Sequence, residues 1–197
     1  MIDRFLNAKH WQLFLLTFGI PMIFQFIMMG IIFANIEANN NPDPEFMFSY
    51  MKFFPIMMLL FMGVFFGWFW SVAIGLQRMI PDEIKLKVNR FKFFLLIPIV
   101  YIIFFLGFIM TSFTSGGPNP GIFAVILPLH LFSMFCILHS LYFVAKTFKT
   151  AELKRKVTFS DFAGEFFMIW FYPIGIWIIQ PKINKMIKEK HILPNNG

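Results

Sequence analysis

Charge is scarce in this chain, and acid is scarcer than base. Only 14% of its 197 residues are charged, and 10 acids stand against 17 Lys and Arg. A soluble domain carries about a quarter charged residues, so an ordinary water-facing surface is excluded. There is one cysteine, Cys136, in the middle of an apolar run. It excludes an intrachain disulfide and leaves the redox compartment unread. No stretch carries a complete catalytic, nucleotide-binding or metal-binding motif. Enzyme chemistry is therefore not the expectation, and neither a cofactor nor a metal site is expected. The net charge of +7 does not signal nucleic acid. The basic residues are short clusters beside hydrophobic spans, where they set orientation and meet anionic lipid headgroups.

Apolar length is what the chain has in abundance. Hydrophobic residues make up 58% of it, and lipid is the solvent that tolerates this. The 31 phenylalanines come with many Ile, Lys, Asn and Met residues, a set with A/T-rich codons, so they are not read as an aromatic binding site. Four runs, at about 12–35, 53–77, 93–112 and 122–145, are each long enough to cross roughly 30 Å of hydrocarbon at about 1.5 Å per residue. The first is too long for a signal-peptide core and lacks a small-residue cleavage site, so it is expected to persist as an anchor. One integral membrane domain, 1–197, is expected.

The loops between these runs differ in charge. Asn39-Asn40-Asn41-Pro42-Asp43-Pro44 and Ser115-Gly116-Gly117-Pro118-Asn119-Pro120 cannot continue a helix, and their only basic neighbour is Lys52. On the other side stand Arg4 and Lys9, then Arg78, Lys85, Lys87, Arg90 and Lys92, then Lys146, Lys149, Lys154, Arg155 and Lys156. The positive-inside rule places that side, with the amino terminus, in the cytoplasm.

A fifth apolar segment, 162–179, decides where the tail goes. If it crosses, Lys182, Lys185, Lys188 and Lys190 face outward. If it enters and returns, 16 of the 17 basic residues share one side. Pro173 and Gly175 interrupt the run, Trp170, Tyr172 and Trp177 cluster about the interruption, and Glu165 lies in its first half. A re-entrant or interfacial hairpin is therefore preferred over a fifth span, with both termini cytoplasmic. Thr158, Ser160 and Asp161 suit the start of its first half. From Pro181, residues 181–191 read as a basic amphipathic surface helix with Ile183, Met186 and Ile187 on one face.

Two features inside the spans carry possible function. Gly63, Gly67, Ser71 and Gly75 form a smooth strip down the second helix. Helices in lipid associate through close packing, and such a strip permits it. Its expected occupant is another span of the same chain, ahead of a second copy or another membrane protein. Trp68 and Trp70 are expected to fill space beside it, and Gln25 to offer an interhelical hydrogen bond. The fourth helix carries His130, Ser133, Cys136 and Ser140 on one arc, with His139 at its edge. Intramembrane His130, His139 and Glu165 are costly, which makes them functional candidates. His139 lies about 10 Å of helix inside Lys146, and Glu165 about 7–8 Å inside Ser160, so the two would meet near the cytoplasmic face. Such a pair would raise the histidine pKa and serve as a proton relay or a cation site. Local satisfaction of both groups is the plainer expectation.

The stretch Thr158-Phe-Ser-Asp-Phe-Ala-Gly-Glu-Phe-Phe, followed by Trp170-Phe-Tyr-Pro-Ile-Gly-Ile-Trp-Ile-Ile-Gln-Pro-Lys-Ile-Asn184, resembles a carboxyl-terminal signature of small multi-pass membrane proteins of the Bacteroidota, a group with no assigned activity. The resemblance implies a bacterial inner-membrane location and a structural unit around the Pro-Ile-Gly-Ile-Trp and Gln180-Pro181 steps. It carries over no catalytic or binding residue. The expected fold is all-α: four spans plus a carboxyl-terminal helical hairpin. The expected function is a non-enzymatic accessory, assembly or regulatory membrane component. The alternative is a small transporter or channel subunit using His139, Glu165 and the polar face of the fourth helix.

Overall fold

A computed structural model describes residues 1–39, 53–114 and 120–192. Among them there is no strand. The α-helices are α1 (Ile2–Asn7), α2 (His10–Phe14), α3 (Ile20–Asn39), α4 (Phe54–Gly75), α5 (Val88–Thr114), α6 (Phe123–Leu153), α7 (Phe159–Trp170) and α8 (Tyr172–Ile192). Four continuous helical stretches are long and apolar enough to span a bilayer: His10–Ala38, Phe54–Met79, Val88–Ser112 and Phe123–Leu153. The protein is an all-α polytopic membrane protein. The Pro-rich stretch 40–52, with Lys52, and the Gly-Pro stretch 115–119 lie outside the described residues.

Proline explains the one irregular turn of span one. Pro21 has no N–H, and its ring crowds the carbonyl four residues back, at Thr17. The helix relaxes into a π-turn over Leu15–Gly19, and Thr17 sits buried in it with its hydroxyl donating to the Leu13 carbonyl at 2.7 Å. Span four runs past its expected end at 145. Charged side chains stop a hydrocarbon crossing but not a helix, and Lys149 pairs with Glu152 one turn on, at 2.8 Å. The helix ends where Lys154 turns left-handed at φ 50°.

The carboxyl-terminal segment is a hairpin, with its turn earlier than the expected Pro173–Gly175 break. Phe171 is the one non-helical residue between α7 and α8, at φ −86° and ψ 58°. Pro173 falls in the first turn of α8, where a helix has no carbonyl waiting for an N–H. Gly175 allows the two helices to touch: a Cβ there would lie 1.8 Å from the Met168 carbonyl oxygen. Pro181 does not start a new helix either. It sits inside α8, which continues through the basic tail. At the start of α7, Thr158 and Asp161 form a capping box, with Asp161 Oδ2 accepting the Thr158 N–H at 2.8 Å.

One end of the bundle gathers α1, the 76–87 connection, the close of α6 and both ends of the hairpin. Arg78 pairs with Asp3 at 3.1 Å, and Lys190 donates to the Arg78 carbonyl at 3.0 Å. This is the basic end. The core lies toward it, where Trp68, Phe69, Phe91, Phe148, Phe162 and Ile183 are fully buried. Toward the far end span one stands away from the bundle, while spans three and four stay packed, with Leu106 and Ile126 buried. Only 11% of the most apolar stretch of span one is buried, against 44% for span two.

Candidate functional site

The polar residues of span four do not converge. His130 Nδ1 meets the Tyr101 hydroxyl at 3.1 Å, a local pair with span three. Ser133 is buried, and Ser140 returns its hydroxyl to the Cys136 carbonyl at 2.9 Å, a bond inside its own helix. His139 packs its ring on Phe94, with centroids 4.3 Å apart.

A meeting of His139 with Glu165, the lesser expectation beside local satisfaction of each, is not formed. Glu165 is nine-tenths buried and is bound by Lys149 at 2.9 Å, with Lys182 at 3.9 Å. The physical reason is the length of α6. Lys149 is not in a loop but on a helical turn beyond the apolar run, facing α7, so a strong cation reaches Glu165 before any histidine does. The result is a three-helix tie between α6, α7 and α8. Without the Glu165 carboxylate, Lys149 would keep its bond to Glu152 but the link from α6 to α7 and α8 would be lost, which makes the tie a structural element.

The glycine strip of span two is filled by an element that periodicity did not reveal. A Cβ at Gly67 would lie 2.8 Å from the Phe5 ring, and one at Gly75 would lie 2.6 Å from Leu6 and 2.7 Å from Ile2. Ser71 is buried between them. The occupant is α1, a six-residue helix, and not another span as expected. Gly63, at the far end of the strip, has nothing within 4 Å of such a Cβ. The signal was present in Ile2, Phe5 and Leu6, spaced as one helix face, with Asp3, Arg4 and Asn7 on the others.

Gln180 holds this arrangement together and was not singled out by chemistry. It is fully buried. Its Oε1 accepts the Trp68 indole N–H at 2.7 Å. Its Nε2 lies 3.1 Å from the Phe5 and Leu6 carbonyls and 2.9 Å from that of Ala8. Asn184, one turn on, donates to Leu6 and Ala8 at 3.0 and 3.2 Å. The Leu6 and Ala8 carbonyls lie at the end of α1, where no further turn pairs them, and that of Phe5 also accepts the Ala8 N–H at 3.3 Å. Trp68 is therefore a hydrogen-bonding partner as well as a space-filler, whereas Trp70 lies under Lys92, 5.6 Å from the ring centroid. Tyr172 also departs from its expected headgroup position. Its ring is buried against Phe65 and Trp68, while Trp170 and Trp177 are exposed.

With the basic end closed in this way, an apolar recess remains between spans one and two. A cleft of about 520 Å³, open on one side, is lined by Thr17, Phe18, Pro21, Phe24, Gln25, Met28 and Ile32 from span one and by Phe54, Met57, Met58 and Phe61 from span two. Among the described residues, Gln25 and Thr17 are its only polar side chains, and the Thr17 hydroxyl is already bonded within its helix. Such a cleft can hold an apolar segment and offer it one amide. It carries no acid–base pair. Among the described residues, no group of three or more His, Cys, Asp and Glu side chains is placed to hold a metal ion.

Comparison with known proteins gave no matching family model, no matching curated protein and no matching solved structure.

Proposed function

We propose that this chain is a non-enzymatic accessory or assembly component of a bacterial inner membrane, which holds the transmembrane segment of a partner between its first two spans. The basic end and both termini face the cytoplasm in this reading, because the described Lys and Arg residues cluster there. The observation that carries it is the cleft itself. Span one joins the bundle through its first turns and then stands away from span two, leaving a recess that its own side chains do not fill. Helices in lipid gain nothing from hydrophobicity alone, so a shaped recess with one free amide is what would select a helix over bulk lipid. Gln25 is exposed on the cleft wall, where an interhelical hydrogen bond is within its reach.

The alternative, a transport relay from His139 to Glu165, has less behind it, since Glu165 is engaged by Lys149. Photo-crosslinking amino acids at Met28 and Met57 in native membranes test the assembly reading, with Ile103 on span three as the lipid-facing control. A protein adduct at the two cleft positions and none at Ile103 is expected. Lipid adducts alone at all three would overturn it.

A further inference from the structure

A second recess lies at the basic end, apart from the cleft. It occupies about 790 Å³ between the start of span three and the last membrane turns of span four, lined by Leu86, Lys87, Val88, Asn89, Arg90, His139, Tyr142, Phe143 and Lys146. No carboxylate lines it. Among the described residues, Asp82 pairs with Lys85, Asp3 with Arg78, Asp161 with Arg155, and Glu165 with Lys149. Lys87, Arg90 and Lys146 have no ion-pair partner there. Glu83 lines only the adjoining recess, which Lys146 and Lys156 also reach. Lys146 is held over the Tyr142 ring, 5.8 Å from its centroid, which keeps the ammonium at the rim.

We infer that the recess walled by Lys87, Arg90, His139, Tyr142 and Lys146 binds the headgroup of an anionic phospholipid. Lys87, Arg90 and Lys146 supply three cations for a phosphodiester without a neutralising ammonium. Asn89, Tyr142 and His139 add hydrogen-bonding groups, and Leu86, Val88 and Phe143 add apolar surface to the same recess. Basic recesses between spanning helices recognise headgroups by this combination. Free phosphate would engage the rim but leave the apolar walls unused. The site does not depend on the cleft between spans one and two.

The test is lipid retention by the full chain, measured by native mass spectrometry after release from phosphatidylcholine nanodiscs containing a minority of phosphatidylglycerol. The wild-type chain should keep phosphatidylglycerol over phosphatidylcholine by about tenfold or more, since each Lys or Arg near such a surface contributes an appreciable share of binding. Lys87→Gln, Arg90→Gln and Lys146→Gln together should abolish the preference, and Arg90→Gln alone should weaken it. A charge-matched control, Lys185→Gln, Lys188→Gln and Lys190→Gln on the tail, should leave it intact. Equal loss in both triple variants, or none in the first, would overturn the site. So would displacement of the lipid by millimolar inorganic phosphate. Melting curves of the variants that match wild type exclude loss of fold as the cause.

Discussion

Gly63 and Trp68 lie little more than one turn apart on the same helix, in two different kinds of structure. Around Trp68, every contact is made within the chain: an indole bonded to Gln180, a strip of small residues filled by α1, and an ion-paired tie between α6, α7 and α8. Around Gly63, the backbone is open and span one stands away from span two. Both halves are apolar, so hydrophobicity does not separate them. Directional contacts do. In lipid, an apolar face costs nothing to leave exposed, whereas a hydrogen-bonding group costs several kcal/mol if left unpaired. Gln180, Asn184, Trp68 and the carbonyls of α1 therefore force one end to close. The far half has few such groups, and it is free to present its faces to something else.

That contrast can be broken from its closed side. Gly175→Ala should have the largest effect, because its Cβ would lie 1.8 Å from the Met168 carbonyl and backbone cannot yield as a side chain can. A loss of at least about 3 kcal/mol is expected, read as collapse of the melting transition in mild detergent. Gln180→Leu comes next. It keeps the bulk but strands the buried Trp68 N–H, at about 2 kcal/mol. Its signature is local: amides of residues 2–8 should lose hydrogen-exchange protection first.

Two substitutions on one helix sharpen the comparison. Gly67→Leu should displace Phe5 and lower stability by about 1–3 kcal/mol, whereas Gly63→Leu should change it by less than about 0.5 kcal/mol. Equal effects in melting curves would mean that the strip is not divided as described. The smallest effect is acid sensitivity at the start of α7. The Arg155 guanidinium, then the Thr158 N–H and hydroxyl, hold the Asp161 carboxyl well below the usual carboxylate range. A depressed folded-state pKa gives stability that is present above the unfolded value of about 3.9 and is lost as pH falls through the folded one. Fraying of α7, followed by exchange at its first amides, should therefore begin only below about pH 4 and be absent in Asp161→Asn, which lacks the titration.

The spans were legible because their signal is length and hydropathy, which neighbours do not alter. The hairpin was legible in kind, from the tail's lysines and the Pro-Gly interruption. Its turn was misplaced because proline reads as a breaker in sequence, yet at a helix's first turn it breaks nothing. The α1 helix was missed because its face rests on three residues alone, Ile2, Phe5 and Leu6, less than two turns of pattern. Gln180 was legible only as part of a structural unit at the Gln180-Pro181 step, since its partner Trp68 lies 112 residues away and only packing brings them together. The pairing of Glu165 was misjudged by depth alone. Distance from the loop placed it level with His139, but direction around α6 gave it to Lys149.

The closed end depends on the tail turning back to lock onto the amino-terminal helix. The most direct test is a pair of single-cysteine chains, Asp3→Cys and Lys188→Cys, each with Cys136→Ala, probed with a membrane-impermeant thiol reagent in vesicles of known orientation. Labelling of both positions from the cytoplasmic side, and of neither from the other, is the predicted result. Labelling of the two from opposite sides would mean that the segment 162–179 crosses the membrane, and the lock described here would not exist.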